Sequence, residues 1–175
     1  FAPAGTRRGG ISNASSVGFI NDEGEFTPTS LNDGTRDTML GAKINPITFI
    51  TGSGLVNFGQ NTRARNASAL DRINVARLTA YLRRQLSLLA KPFLFEPNDK
   101  ITRDEIKQAT ESLLLELVGQ RALYDFLVVC DESNNTPSRI DRNELHLDIA
   151  IEPVKAVEFI YIPLRLKNTG EIAGL

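Results

Sequence analysis

Residues 54–98 read GLVNFGQNTRARNASALDRINVARLTAYLRRQLSLLAKPFLFEPN, and the fold turns on this stretch. A Gly-rich extended approach leads into an Arg-rich helix. Ser68 followed by Asp71 is a weak capping-box pattern that puts the helix start near residue 68. Leu70, Ile73, Leu78, Leu82, Leu86 and Leu89 fall mostly three or four apart, and Val75 and Tyr81 widen the stripe, as one buried helix face requires. Lys91 is pushed out of the α region by Pro92, which bounds the helix. The expected rod has roughly 22 residues and a length of about 33 Å. A short Phe-containing strand, closed by Glu96-Pro97-Asn98, is expected after it.

Downstream, Lys100–Ile106 reads as a second helix start, with Thr102 as N-cap, Glu105 as its capping-box partner and a staple of Ile101 with Ile106. Ile106, Ala109, Leu113, Leu114, Leu117 and Val118 form its stripe, and Gly119 can supply the closing αL residue, so this helix is expected over 102–118. Three strand patterns follow. Tyr124–Cys130 is apolar on both faces towards its end, as a covered strand would be. Asp131–Asp141 is a polar loop, and Leu145, Leu147, Ile149 and Ile151 then alternate with polar or small residues up to Pro153. Glu158–Leu166 alternates again, with Pro163 marking an edge or boundary element.

Upstream, Ile44–Thr51 has strand composition, Gly52 and Gly54 break it, and Leu55–Phe58 resumes an extended run. Residues 1–45 are rich in Gly, Ser, Asn, Thr and Asp and read as a loop-rich lead-in whose strands, Val17–Ile20 among them, are short. The order strand, helix, helix, three strands predicts an α+β fold: two helices packed on one small mixed β-sheet, with an extended N-terminal segment and a C-terminal arm.

At 175 residues the chain has the length of one domain, or one domain with an extension. Its net charge of −1 sets up no global field for nucleic acid or anionic membrane. The charge is segregated instead. Residues 61–91 carry Arg63, Arg65, Arg72, Arg77, Arg83, Arg84 and Lys91 against Asp71 alone, whereas residues 92–175 hold 15 acidic and 9 basic side chains. Such a helix is either a solvated basic face or one half of a head-to-tail contact with another copy's acidic face. No run of about 18 apolar residues suits a transmembrane helix. One cysteine excludes an internal disulfide framework. The start, Phe1-Ala2-Pro3-Ala4-Gly5, has neither an initiator Met nor a signal-peptide layout, so a portion of a longer protein is expected.

Chemistry-bearing residues do not converge in the pattern. His146 falls on the polar face of its strand, Cys130 ends an apolar strand as a buried inert thiol, and a dyad between them lacks an orienting third group. No metal-ligand spacing is present, and Gly52-Ser53-Gly54 with Gly59 lacks the GK[ST] of a phosphate loop. Glu96 and Asp99 suit turn and capping roles. The reading is therefore no enzyme and no cofactor. The alternative function is a nucleic-acid-binding α+β module using the basic helix 68–90; against it, no aromatic residues are interleaved with the arginines as stacking platforms.

An ordered set of motifs resembles the contractile tail sheath proteins. Phe58-Gly59-Gln60-Asn61-Thr62 and Ile73-Asn74-Val75-Ala76-Arg77-Leu78 stand where that family reads roughly V-x-W-G-x-R-T-L … I-N-V-R-R-L. Phe95-Glu96-Pro97-Asn98-Asp99 matches its F-E-P-N-[DE] signature. Ala2-Pro3-Ala4-Gly5, Ile44-Asn45-Pro46-Ile47, Val128-Val129-Cys130-Asp131 with Asn135-Thr136, and Ala156-Val157-Glu158-Phe159-Ile160 match further segments in the same order. Phe58, Asn61 and Ala76 depart from the pattern, the latter two replacing Arg.

The resemblance implies a structural subunit of a contractile sheath, from a phage or a related injection machine. It implies a helical lattice around a tail tube, contraction that drives the tube through the host envelope, and terminal arms that add strands to neighbouring sheets. It also implies a place in the virion tail after assembly in the host bacterial cytoplasm. Residues 1–45 would then be part of the sheath core or a linker, 46–166 the C-terminal sheath domain and 167–175 the arm. Partners would be neighbouring sheath subunits and the tube protein, with no nucleic acid, no membrane insertion and an isolated chain that is monomeric. Arg63, Arg65, Arg72, Arg77, Arg83 and Arg84 are the candidates for the subunit or tube interface. Glu158, Phe159, Ile160, Tyr161, Ile162, Leu164 and Leu166 are the candidates for an inter-subunit strand.

Overall fold

Local hydrogen bonding builds regular structure even within the polar lead-in. In the computed structural model, which describes residues 10–158 and 160–163, β1 (Gly18–Ile20) and β2 (Phe26–Pro28) pair antiparallel, with Phe19 opposite Thr27. The Asn21 side chain closes their turn by accepting from the Glu23 and Glu25 amides. α1 (Asp33–Gly41) follows, capped by Asn32, whose Oδ1 accepts from the Thr35 amide at 2.8 Å. No residue of α1 is buried, so no apolar stripe announces it in the sequence.

The expected strand in 44–51 is β3 (Ile47–Ile50). It turns back through Gly52 and Gly54, whose φ values of 84° and 77° suit glycine, into β4 (Gly54–Asn57). On the other edge of β4, Gly10 bridges to Val56 and the Ile11 amide donates to the Leu55 carbonyl at 2.8 Å.

The Arg-rich helix starts later than its capping pattern suggests. Ser68 makes no side-chain cap bond and opens only a 3-10 turn, Ala69–Asp71; α2 (Ile73–Ala90) begins after Arg72. The expected Phe-containing strand does not form. Lys91–Phe93 is a second 3-10 turn around Pro92, and Phe95 takes a positive φ of 72°, which no ladder accepts. α3 (Lys100–Gly119) is capped by Asp99, which accepts from the Thr102 amide at 2.9 Å, in place of Thr102 itself. The positive φ after the helix falls on Arg121 (61°) rather than on Gly119.

β5 (Leu123–Val129) pairs antiparallel with β6 (Asp148–Pro153), Val128 opposite Ile149, with a register shift between Leu123 and Asp125. Ile149 and Ile151 face inward and Asp148, Ala150 and Glu152 outward, as the alternation requires, but Leu145 and Leu147 precede the ladder. The loop between the strands contains one short helix, α4 (Pro137–Ile140).

The α+β class holds, with the strands divided among three two-stranded antiparallel sheets in place of one mixed sheet. Each strand pairs with the next strand in sequence, and α2 and α3 link β4 to β5 without bringing them into one ladder. A parallel pair would need a crossover that packs back onto the same sheet. The third expected strand is absent from the described part of 158–166: Glu158 and Ile160–Pro163 join no ladder. Phe159, Leu164, Leu166 and the tail Lys167–Leu175 lie outside the described residues.

Leu78 and Leu82 of α2, Leu114 and Leu117 of α3, and Leu123 and Val128 of β5 form the core, with Phe126, Ile149 and Ile151 packed against it. Both helices therefore cover the same face of the β5–β6 ribbon. At about 2 kcal/mol per fully buried Leu or Val, this cluster dominates the domain's stability. Leu70, expected on the α2 stripe, is about half exposed because it lies in the 3-10 turn ahead of the helix.

Candidate assembly interface

α2 presents Arg77, Arg83 and Arg84 to solvent, because Val75, Leu78 and Leu82 turn its opposite side into the core. Arg63 and Arg65 are exposed in the connection after β4. None of these five makes an ion pair among the described residues. Arg72 differs. Its Nε lies 2.6 Å from Glu158 Oε1 and its Nη2 donates to Glu158 Oε2 at 3.0 Å, while Nη1 reaches Asn61 Oδ1 at 3.0 Å and Asp71 at 3.6 Å. Two residues that charge and alternation had assigned to separate surfaces, one basic and one strand-like, thus meet within the same chain.

The segment after β6 is held at two points. The Val154 amide donates to the Ala122 carbonyl at 3.1 Å and the Val154 carbonyl accepts from Asn74 Nδ2 at 2.9 Å. Gln60 Nε2 then donates to Glu158 Oε1 at 3.1 Å. Beyond Glu158 the side chains stand in solvent: Ile160 is 77%, Tyr161 87% and Ile162 83% exposed. Gln60, Asn61 and Asn74 carry neither charge nor periodicity; the motifs they belong to single them out, but nothing in the pattern says that they meet the segment after β6.

A second polar framework holds the β5–β6 connection. Asn135 is buried, its Nδ2 donates to the His146 carbonyl at 2.9 Å, and its Oδ1 accepts from the His146 amide at 2.7 Å. Asn134 Nδ2 donates to the Val129 carbonyl and to Asp148, at 2.8 and 2.9 Å. Asn98 Nδ2 donates to the Glu144 carbonyl at 2.9 Å, and the buried Arg103 donates back to the Asn98 carbonyl at 3.3 Å, which ties the α2–α3 loop to the same connection.

The reactive side chains have structural partners. Cys130 is buried, and burial pushes its thiol pKa up. His146 Nε2 lies 3.1 Å from Glu144 Oε2. Hydrogen bonds from Arg142 foremost, then from His146, hold the Glu144 carboxyl down to about 2. A cleft of about 740 Å³ lies beside the α2–α3 loop, with Glu96 as the one ionisable side chain lining it, so no acid–base pair converges there. Among the described residues no group of three or more His, Cys, Asp and Glu is placed to hold a metal, and no helix is long and apolar enough to cross a membrane.

The family model described as the phage tail sheath C-terminal domain matches residues 65–167, which spans α2, α3, the β5–β6 ribbon and the segment that Glu158 anchors. The chain belongs to the phage tail sheath family. The tail sheath protein of Vibrio phage KVP40 is 38% identical over 177 residues, covering 99% of this chain and 25% of that protein. The tail sheath protein of Enterobacteria phage T4 is 33% identical over 178 residues, covering 99% of this chain and 26% of its own length. The chain thus spans about a quarter of the length of these curated relatives.

Among solved structures, the contracted sheath complex of an extracellular contractile injection system, PVC, superposes with a TM-score of 0.73 at 20% identity, covering 83% of this chain and 43% of that one. The contracted helical sheath of the anti-feeding prophage gives 0.71 at 20% identity, covering 88% and 45%. At these identities the two structures speak for a shared fold. Nothing among these relatives supports the nucleic-acid-binding alternative.

Proposed function

We propose that this chain is the C-terminal domain of a structural subunit of a contractile tail sheath. Copies polymerise helically around a tail tube and contract to drive the tube through the host envelope, as a component of the virion tail assembled in the host bacterial cytoplasm. Its partners are neighbouring sheath subunits and the tube protein, and its work comes from repeated docking rather than from turnover in a pocket. The observation that carries this reading is the match to the sheath C-terminal domain over 65–167.

The fold supports a division of labour. The outer edges of β5 and β6 have no ladder partner among the described residues, so either can accept an added strand. Ile160, Tyr161 and Ile162, with Phe159, Leu164 and Leu166, are the candidates for the inter-subunit strand, and residues 167–175 continue from it as the arm. Arg63, Arg65, Arg77, Arg83 and Arg84 form a basic surface for the tube or for a neighbouring subunit. Heterologous contacts of this kind propagate into an open helical array. Contraction is then a nearly rigid-body shift between two lattices, with the exchanged arms keeping the net connected.

The test is removal of residues 160–175 from the full-length sheath protein. The expected result is a soluble, folded monomer that no longer forms sheaths or polysheaths in electron micrographs. Normal sheaths from the truncated protein would sink the arm assignment.

A further inference from the structure

We propose that Gln60, Arg72 and Asn74 form a receptor site for the chain's own residues 154–158, and that Glu158 is its key: a clamp that fixes where and in which direction the C-terminal arm leaves the domain. The inference rests on the sheath reading above, which supplies the arm.

The clamp joins three parts of the chain far apart in sequence. Arg72 is the residue immediately before α2, and its backbone bridges to Asn61 in the connection after β4. The Gln60 carbonyl accepts from the first amide of α2, Ile73, at 2.8 Å. Glu158 arrives from the far end of the domain and meets one edge of the guanidinium: Nη2 donates to Oε2 at 3.0 Å, and Nε stands in ion-pair contact with Oε1 at 2.6 Å. A charge-assisted hydrogen bond beside a second ion contact favours one orientation of the carboxylate.

The amides show that the site is shaped for this segment. Gln60 is 9% exposed, and its Nε2 is spent on Glu158; Asn74 spends its Nδ2 on the Val154 carbonyl. Gln60 Oε1 and Asn74 Oδ1 are buried with no donor among the described residues. A buried amide with one unsatisfied end is costly. Both side chains therefore owe their orientation to the segment they hold, the one group among the described residues that their amide nitrogens meet.

Position along the chain gives the clamp its consequence. The segment is pinned at two points, Val154 and Glu158, with Val157 between them exposed, and two residues beyond Glu158 the chain is exposed again. Glu158 marks the last fixed point before the arm, so a pull on the arm is delivered to the start of α2 and thence to the core helices. Glu158 belongs to the root of the arm and not to its strand.

Hydrogen exchange on this chain, with sheath assembly of the full-length subunit alongside, tests the assignment. Glu158→Gln and Arg72→Ala are each expected to speed exchange of the Val154 amide, which donates to the Ala122 carbonyl, by about tenfold or more, with the α2–α3 core amides unchanged. The same variants are expected to give few, irregular sheaths. The swap Arg72→Glu with Glu158→Arg should recover slow exchange and regular sheaths relative to Arg72→Glu alone. Unaltered exchange at Val154, or equal loosening of the core, overturns the clamp, and so do normal sheaths from variants whose root has loosened. If even the unsubstituted subunit forms no sheath, the sheath reading fails while exchange still decides the clamp.

Discussion

Asp99 holds the head of α3 through one hydrogen bond, accepting from the Thr102 amide at 2.9 Å, and that bond is also the main reason its carboxyl sits below the ordinary value of 3.8. A carboxylate whose folded pKa is depressed contributes stability above its unfolded value and loses it as pH falls through the folded value. Asp99→Ala is therefore expected to lower the melting temperature by a few degrees at pH 7, with the gap to the parent narrowing below about pH 4, while Asp99→Asn, which still caps but carries no charge, falls between the two at pH 7. Thermal scans from pH 2 to 7 check this; a gap that is constant with pH removes the charge from the account. The capping box at Thr102 and Glu105 was the wrong reading of the right region. Thr102 and Asp99 are both good caps three residues apart, and the backbone decides between them: Asp99 is extended, at φ −112° and ψ 179°, and the helix already runs from Lys100, so Thr102 lies inside its first turn.

Among the elements, α2 and α3 were legible because burial follows a period. The leucines at 78, 82, 114 and 117 that repeat along the sequence are those in the core. β6 was legible for the same reason, with period 2 in place of 3.6. The β5–β6 connection was not, because its order comes from buried asparagines that look like any polar loop. Asn135 satisfies both backbone groups of His146 and is 1% exposed. Asn135→Ala leaves that amide and carbonyl without partners in a buried setting, so a loss of about 3 kcal/mol is expected. Urea denaturation reads it as a lower midpoint at an unchanged slope. A loss below about 1 kcal/mol would mean that water replaces the carboxamide and that the connection is not held from within.

At the scale of the whole molecule, part of the apolar surface stays uncovered among the described residues. The two-stranded sheets at the N-terminal end leave Phe19, Ile20, Phe26, Ile47 and Phe49 largely exposed, and a lone two-stranded sheet is marginal in water. Sequence patterning reports how a chain buries its own residues, so a side chain whose partner is another molecule looks like an ordinary loop or a solvated charge. On the sheath reading proposed above, the exposed arginines of α2 are side chains of this kind. Arg77 and Arg84 lie on one flank of the helix, about 10 Å apart along its axis, and Arg83 lies on the other. All three are exposed and lack an ion pair among the described residues, so their replacement by Ala should leave the domain's stability within about 0.5 kcal/mol. Exposed charges that serve an interface act instead on encounter and on salt dependence. Full-length subunit carrying Arg77→Ala, Arg83→Ala and Arg84→Ala is expected to need several-fold more protein to assemble at 50 mM salt and to differ little from the parent at 500 mM, because screening has already removed the attraction there. Light scattering across a salt series measures both. Assembly of the triple variant with the parent's salt dependence would return these arginines to the status of a solvated face and leave the arm as the main contact between copies.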